Sequence, residues 1–413
     1  MSFYRTLGWL VVSGLAAFVA LSSYVISNEV KAPAAAYATG FPPAGIAKAN
    51  LAFYSYGARA FYDRRASVTT GEVALARLAY RTEPLSSTAL SMLLQSISDS
   101  GVEERLLELA SDLTRRNSLL NEKQIDSAAA RGDDAAFFQW LSRSMLTNND
   151  LLAAYVGAMA QATAKDGAVE ALTPVVGPRP RWADHYWEQV AKVPASTVNA
   201  AKLRVAVAGA PWLQTEIRRS DQMLALALTN RGEFDAAFGL YRGLGLAREK
   251  PTRNLLFNGT FWRQPKLPPF DWQLAVSGTL GSSIDPEDKS LRVSAIAGAR
   301  GYAARQLVSL RPGNYQLGWS LSASMPFESS TLWVRLNCAE TGVKASKPVH
   351  ILLKAGSHSN TFAIPPDGCN WYWLSIDIGL PDTSPGFDAV FQNISLTSAK
   401  GEGARVRQTS PAI

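Results

Sequence analysis

The sequence predicts a multidomain chain of mixed α and β structure: a single N-terminal transmembrane helix, an α-helical repeat domain and a C-terminal antiparallel β-sandwich. Three patterns support this fold class, namely an uncharged apolar run, then segments of helical period, then short alternating segments with turn residues between them. The expected boundaries are 1–27 for the anchor, 28–50 for a spacer, 51–246 for the helical repeats, 247–253 for a linker, 254–398 for the sandwich and 399–413 for a flexible tail.

The composition is that of a globular protein. The chain has 413 residues, of which 47% are hydrophobic and 18% charged, so it is long enough to bury two or three ordinary cores. Its net charge is +7, but the lysines and arginines are scattered among acidic residues and form no basic patch. This pattern argues against a nucleic-acid partner.

The N-terminal apolar run indicates a membrane helix. Leu7 to Ile26 is free of charge, and about twenty residues at 1.5 Å each cross a hydrocarbon layer of roughly 30 Å. We interpret it as an uncleaved single-pass anchor, and Arg5 before it favours a cytoplasmic N-terminus. The bulk of the chain would then lie in the periplasm, at the inner membrane of a bacterium. A cleaved signal peptide, which "APAAA" at 32–36 would tolerate, and a buried globular helix are the alternatives.

Residues 28–50 are rich in Ala, Pro and Gly, which predicts a short spacer that lifts the body of the protein off the membrane. From Leu51 to Leu246 the apolar residues recur at steps of three and four, as amphipathic helices require. Breaks such as "TEPLSS", "RGDD" and "KDG" separate these helices.

Two helical segments resemble each other. "AARGDDAAFFQWL" and "TNRGEFDAAFGLY" place Arg, Gly, an acidic residue, Ala and Phe at matching offsets, beginning at Arg131 and Arg231. Glycine permits a tight turn between antiparallel helices at each place. The segments resemble a degenerate tetratricopeptide-type repeat array, and this resemblance implies a protein partner. An irregular helical bundle with shared turn chemistry is the alternative.

The last part of the chain contains short segments rich in residues that favour β-strands. "SLRVSAI", "YQLGWSLSAS", "TLWVRLNCA", "YWLSIDIGL" and "FDAVFQNISL" are among them, and Gly, Pro, Asp and Ser separate them. They predict an antiparallel two-sheet sandwich. The stretch "GLAREKPTR" before it predicts a linker that few contacts cross.

The opening of this region carries a family resemblance. "NLLFNGTF" followed by "PPFDWQL" is similar to the first strands of jelly-roll carbohydrate-binding modules and related galactose-binding-like sandwiches, over Asn254 to Ser398. The resemblance implies a glycan ligand. It also implies a structural calcium site near Asn258, Gly259 and Asp388, although only one of these is a carboxylate. No other cofactor is expected.

Six tryptophans occur in this region, and a flat aromatic face can stack on a sugar ring. Trp272 and Trp319 have apolar neighbours and are expected in the core. Trp371 and Trp373 point to the same side of one strand. We predict that Trp371 is exposed and forms a sugar platform, and that Trp371, Trp373, Arg335 and Asp377 are the glycan-binding residues.

The two cysteines, Cys338 and Cys369, both lie in the predicted sandwich. One disulfide in an oxidising compartment is the expected arrangement, and two buried free thiols are the alternative. A zinc site would lack ligands, because no cluster of histidines accompanies the thiols.

Catalytic motifs are absent from the sequence. It has no phosphate-binding loop, no nucleophile elbow and no zinc-protease motif, and its three histidines stand apart. We therefore predict a non-enzymatic envelope protein whose helical repeats bind a protein partner and whose sandwich binds glycan, in polysaccharide assembly, export or attachment. The alternatives are a scaffolding protein with a protein-binding sandwich and, third, a glycan-active enzyme.

Overall fold

The computed structural model describes residues 2–41, 44–63, 66–97, 100–246, 253–324, 331–342, 347–366 and 369–399. The predicted tail, 399–413, and the predicted linker, 247–253, lie almost wholly outside these ranges. The described chain has an apolar N-terminal helix, further helices and a C-terminal antiparallel sandwich, so the predicted fold class is confirmed. It divides into two compact units, Met1–Tyr155 and Val156–Ile413.

The first unit is helical. Its helices are α1 (Ser2–Asn28), α2 (Pro33–Ala38), α3 (Gly45–Tyr62), α4 (Thr70–Thr82), α5 (Ser87–Leu94), α6 (Ser100–Leu113), α7 (Ser118–Arg131) and α8 (Asp134–Thr147). Within α1, Thr6–Asn28 is long and apolar enough to cross a membrane. Helix α4 begins at a capping box, in which Thr69 and Glu72 satisfy each other's backbone N–H groups.

The predicted spacer, 28–50, is largely helical. Helix α2 and the start of α3 occupy much of 28–50. Alanine has the highest helix propensity, and Pro33 stands in the first turn of α2, where a missing N–H costs nothing. The alanine-rich composition therefore produces helices that pack, and not an extended tether.

Further helices follow toward the sandwich. They are α9 (Leu152–Ala162), α10 (Ala168–Val176), α11 (Ala183–Val190), α12 (Thr197–Ala208), α13 (Arg219–Asn230) and α14 (Phe234–Gly243). Arg204 of α12 and Asp221 of α13 form a buried ion pair, with Nε 2.7 Å from Oδ1. This pair fixes the connection between the two helices.

The two similar segments end their helices in the same way. Gly132 after α7 has a φ of 69° and Gly232 after α13 has a φ of 79°, both in the left-handed region that glycine favours. The N–H of Asp133 donates to the carbonyl of Ala128, and that of Glu233 donates to Leu228. This is the hydrogen bond of a Schellman ending. The predicted glycine turns are confirmed, and a longer repeat array stays a prediction.

The sandwich has two five-stranded antiparallel sheets. The first sheet has the order β1-β4-β9-β6-β7 and the second sheet has the order β2-β3-β10-β5-β8. The strands are β1 (Gln273–Leu274), β2 (Leu280–Asp285), β3 (Ser290–Ala295), β4 (Arg300–Ser309), β5 (Gly313–Ala323), β6 (Leu332–Cys338), β7 (Val349–Leu352), β8 (Gly356–Ile364), β9 (Trp371–Gly379) and β10 (Phe387–Ser398). Alternate residues of each sheet meet in one apolar core. Trp272 and Trp319 belong to it, as predicted.

The first residues of the sandwich form hydrogen bonds with its last strand, β10. The Asn254 carboxamide oxygen accepts from the backbone N–H of Leu396, at 3.0 Å, and its amide donates to the carbonyl of Ile394, at 3.2 Å. A Cβ at Gly259 would lie 2.3 Å from that same carbonyl oxygen, so glycine is required there. The motif "NLLFNGTF" therefore closes the sandwich, and its asparagine and glycine serve structure.

The expectation that few contacts cross the predicted linker is wrong. Helix α14 packs on the sandwich through Phe238, whose ring centroid lies 5.3 Å from that of Phe270 and 5.5 Å from that of Trp371. The Gln222 amide also donates to the Lys266 carbonyl. These contacts place the later helices and the sandwich in one compact unit, and the division falls after Tyr155.

Cys338 and Cys369 form the predicted disulfide, with their Cα atoms 5.7 Å apart. It joins the end of β6 to the residues that precede β9. The loop spans 31 residues, so chain entropy predicts a stabilisation of about 3–4 kcal/mol.

We expect the Cys338→Ala/Cys369→Ala variant to lose about 3–4 kcal/mol of stability, because its unfolded chain is no longer closed into a loop. Hydrogen exchange measures this loss as the opening free energy of β6 and β9 peptides. An unchanged exchange rate would contradict the prediction.

Candidate functional site

The centre of the first sheet presents alternate residues of β9 on its outer face, the face directed away from the core. Tyr372 and the residues at every second position after it belong to the core cluster. Trp371, Trp373, Ser375 and Asp377 therefore share the outer face. The predicted common side of the two tryptophans is confirmed, but their surroundings differ.

Trp371 is not the exposed platform that the sequence predicted. It is only 5% exposed, because helix α14 covers this end of the sheet. Its ring packs against Phe234 and Phe238, and its Nε1 donates to Asp235 Oδ1, at 3.2 Å. Trp371 is therefore part of the contact between helix and sandwich.

Trp373 faces a cation and not open solvent. The Arg305 guanidinium carbon lies 4.3 Å from the centroid of the Trp373 ring and 4.4 Å from that of Tyr302. Arg305 Nε also donates to Gln273 Oε1, at 2.9 Å. The two rings and the amide hold this arginine in place on the outer face, as a cation–π arrangement.

Arg335 and Asp377, two of the predicted site residues, meet in a pocket farther along the outer face. Arg335 Nε lies 2.7 Å from Asp377 Oδ2, and Asp377 is almost fully buried. Trp333 stands directly opposite Asp377 in the pairing of β6 with β9. The pocket has a volume of about 590 Å³, and Trp333, Arg335 and Asp377 all line it.

The Trp333 ring packs closely against Gly379. A Cβ on Gly379 would lie 3.1 Å from Cη2 of the indole, so the glycine leaves the space in which the ring lies. Trp333 Nε1 and Asp377 Oδ1 are both buried without a hydrogen-bond partner among the described residues. Both atoms are shielded from solvent, so the half-buried Trp333 ring and the half-exposed Arg335 are the parts of this group that a ligand can reach.

The pocket is positive in charge. Of its described lining residues, Arg300 and Arg335 are cationic and Asp377 is anionic. Leu352 is exposed and stands opposite Trp333 on β7, which extends the apolar surface beside the ring. The pocket thus combines an aromatic ring with planar charged groups that hydrogen-bond in fixed directions.

The predicted calcium residues do not come together. Asn258 and Gly259 lie beside Ile394, because the Ile394 N–H donates to the Gly259 carbonyl. Asp388 stands six residues earlier in β10, which is roughly 20 Å at the rise of a strand. No single ion can bridge that distance, so this ligand set is wrong.

One other group of metal-type donors occurs in the described ranges: Cys338, Glu340 and Cys369. Both sulfurs are used in the disulfide, and only a thiolate binds metal strongly. The group therefore offers no metal centre.

Trp333 is a pocket residue for which the sequence predicted no role. The available signal was the two-residue period, which puts Trp333 on the same side of β6 as Arg335. The pairing of Trp333 with Asp377 depends on the register of two strands that lie about forty residues apart in the chain.

No family model and no curated protein matches this sequence. Among solved structures, the chain is similar to one described as "CBM4 structure and function", with 16% identity and a TM-score of 0.27 over 35% of this chain and 99% of that one. It is similar to TmCBM61 in complex with beta-1,4-galactotriose, with 13% identity and a TM-score of 0.25 over 36% of this chain and 100% of that one. It is also similar to the enzymatically active domain of bacteriophage CBA120 tailspike protein 4, with 15% identity and a TM-score of 0.25 over 36% and 22% of the two chains. TM-scores this low carry no conclusion about function.

Proposed function

We propose that the sandwich binds glycan in the outer-face pocket, and that the protein is a non-enzymatic membrane-anchored component of a bacterial envelope. The observation that supports this most directly is the pocket itself. Trp333 lies there beside the ion pair of Arg335 with Asp377, and the Trp333 ring and the Arg335 side chain are both partly exposed. In this proposal Trp333, Arg335 and Asp377 replace Trp371 as the central binding residues.

The chemistry of the pocket suits a sugar. The ring of Trp333 offers an apolar face to the C–H groups of a pyranose, which supplies affinity. The half-exposed Arg335 donates hydrogen bonds to hydroxyl groups, and the buried Asp377 orients its guanidinium from below. Because Arg335 is fixed by the nearly buried Asp377, its geometry is set before the ligand arrives. Preorganised polar groups of this kind select among hydroxyl positions.

The anchor in this proposal is α1. The contacts of Val25 with Ala36, Ala44 and Ala47 support a helix that stays attached, because cleavage at "APAAA" would divide this apolar cluster. An anchored chain with its bulk in the periplasm also agrees with a disulfide, since oxidising compartments favour one. We therefore propose a single-pass protein of the inner membrane, engaged in polysaccharide assembly, export or attachment.

We also propose that the helical first unit binds a protein of the envelope. Large apolar side chains are exposed on it, among them Phe61, Tyr62 and Leu85. A groove of about 660 Å³ runs along α4, and its lining includes Val73, Leu78, Arg77 and Arg81. Mixed apolar and arginine surfaces are typical of protein interfaces. Affinity capture from solubilised membranes, with Leu78→Glu as the comparison, tests for a partner that this variant loses.

Binding of glycan to the full chain is the direct test. We expect a Kd between about 10 µM and 1 mM, since a shallow site gains little beyond the cost of ordering the sugar. Trp333→Ala should weaken binding by about 10–100-fold, the equivalent of one aromatic side chain's burial. Isothermal titration in a detergent without a sugar headgroup measures both values.

The matched control is Trp262→Ala, because Trp262 is an exposed tryptophan of the same sandwich that does not line the pocket. It should bind as the unmodified chain does. The positive pocket should also prefer an acidic polysaccharide such as alginate over a neutral one such as dextran. A chain that binds neither polymer, or a Trp333→Ala variant with unchanged affinity, would contradict the proposed site and favour a protein-binding sandwich.

A further inference from the structure

The residues that follow α1 fold back along it. We call 32–41 and 44–47 the fold-back segment. The ring of Phe41 lies 5.3 Å from the ring of Phe18, measured between centroids. Val25 of α1 is buried in an apolar cluster with three alanines of this segment: Ala36, Ala44 and Ala47. The segment is therefore packed against the apolar helix.

Hydrogen bonds also hold α3 to the end of α1. The Asn50 side-chain amide donates to the Glu29 carbonyl, at 2.9 Å, and the Tyr54 hydroxyl donates to the Val30 carbonyl, at 3.4 Å. The fold-back segment is therefore held between the end of α1 and the part of α3 that bonds to it. Its position relative to α1 follows from the fold of the first unit.

Phe41 contacts α1 far from the C-terminal end of that helix. Phe18 precedes Asn28 by ten residues, which is about 15 Å at 1.5 Å per residue. The apolar part of α1, Thr6–Asn28, has 23 residues and so a length of about 35 Å. The Phe41 ring therefore lies level with the middle of the apolar helix.

The composition of the fold-back segment suits this depth. It has no charged side chain, and along the sequence the nearest charges are Lys31 before it and Lys48 after it. In the structure Glu83 packs beside Gly45, at the end of the segment where α3 begins. The surface that α2 leaves exposed consists of apolar residues and one tyrosine: Ala34, Ala35, Tyr37 and Ala38. Tyrosine is enriched where a membrane meets water.

The backbone of the segment is also satisfied where it leaves the helix. The N–H groups after α2 donate within the segment, namely Thr39 to Ala36, Gly40 to Tyr37, Phe41 to the Thr39 hydroxyl and Ala44 to Phe41. Inside a bilayer an unpaired N–H or carbonyl costs several kcal/mol, so non-helical backbone there needs such internal partners. The N–H groups of the described turn meet this requirement.

We propose that the fold-back segment is inserted in the membrane, in the leaflet at the C-terminal end of α1. The lipid then covers the exposed face of α2, and the anchor is a helix with a short re-entrant segment instead of a single rod. This inference rests on the proposed insertion of α1. It extends that proposal, because a single-pass anchor by itself assigns no lipid contact to the fold-back segment.

Spin labelling of the full chain in vesicles of phosphatidylethanolamine and phosphatidylglycerol tests the depth. The two native cysteines form a disulfide, so one introduced cysteine, labelled without reductant, is the single free thiol. Tyr37→Cys probes the segment at a position that is 41% exposed. Trp9→Cys probes α1, and Tyr62→Cys, at 88% exposure near the end of α3, is the aqueous control.

We expect the Tyr37 label to lie about 5–10 Å below the lipid phosphates. It should collide more with oxygen than with a water-soluble nickel chelate, by a several-fold higher ratio than the Tyr62 label. A Tyr37 label in water together with a buried Trp9 label would overturn the inserted segment while leaving the anchor intact. Aqueous labels at both positions would overturn the anchor as well. Equal depths at Tyr37 and Tyr62 would also refute an insertion specific to the fold-back segment.

Discussion

The Arg204→Ala variant is expected to lose about 3–5 kcal/mol of stability in the second unit, because it leaves the buried Asp221 carboxylate without its counter-charge and with only the Arg218 backbone N–H as a donor. Arg204 is 1% exposed and Asp221 is 2% exposed. The guanidinium also donates to the backbone carbonyls of Gln214 and Glu216, each at 2.7 Å. One side chain therefore satisfies a carboxylate and two carbonyls in the connection between α12 and α13.

Hydrogen exchange on the full chain measures this loss as the opening free energy of α12 and α13 peptides. Lys202→Ala is the matched control, since Lys202 is an exposed cation on the same helix. The double variant Arg204→Met/Asp221→Leu should lose less than Arg204→Ala, because it leaves no buried charge. If Arg204→Ala behaves as the Lys202 control does, the ion pair contributes nothing to stability.

The Trp371→Ala variant is expected to destabilise the contact between α14 and the first sheet by about 3–5 kcal/mol, as removal of a buried aromatic ring does. Trp371 fills the space among Phe234, Phe238 and Phe270. Its loss leaves a cavity between a helix and a sheet that cannot easily collapse. Faster exchange in α14 and β9 peptides is the measurement.

Trp371→Phe should recover part of this stability, since it keeps a ring in the cluster. Its loss of the hydrogen bond to Asp235 should matter little, because that carboxylate is exposed and water can replace the indole. Trp333→Ala should show the opposite pattern, with weaker glycan binding and little loss of stability. A stable Trp371→Ala chain that has lost glycan binding would contradict this assignment of the two tryptophans.

Local patterns predicted the elements of this fold. The two-residue period of "YWLSIDIGL" identifies β9 and places Trp371 and Trp373 on one face. The glycines after Arg131 and Arg231 identify two helix endings, because their left-handed conformation is a property of a few adjacent residues. Such features depend on short stretches of sequence, so they can be predicted from the sequence.

The burial of Trp371 depends on distant residues and was predicted wrongly. Its hydrogen-bond partner Asp235 lies 136 residues earlier in the chain. An alternating strand shows that one face leaves the core, but not that a helix then covers part of that face. Trp333 remained unassigned for a related reason, since only the register of β6 with β9 brings it to Asp377.

The helical structure of the predicted spacer has a different physical origin. Alanine and proline occur in extended tethers and also in the first turns of helices, so their frequency alone does not separate the two. What decides between them is the apolar surface available for packing. Here α1 supplies Val25 and Phe18, against which the alanines and Phe41 pack.

The hydrogen bonds of Asn254 with Ile394 and Leu396 have a consequence for the order of events during synthesis. The partners are separated by 140 and 142 residues, so at roughly 5–20 residues per second the later ones emerge about 7–28 s after the first. Throughout that interval Phe261 and Trp272, both fully buried in the finished molecule, have no completed core to enter. A nascent chain at this stage exposes apolar surface that chaperones recognise, and a premature stop before residue 394 makes that exposure permanent.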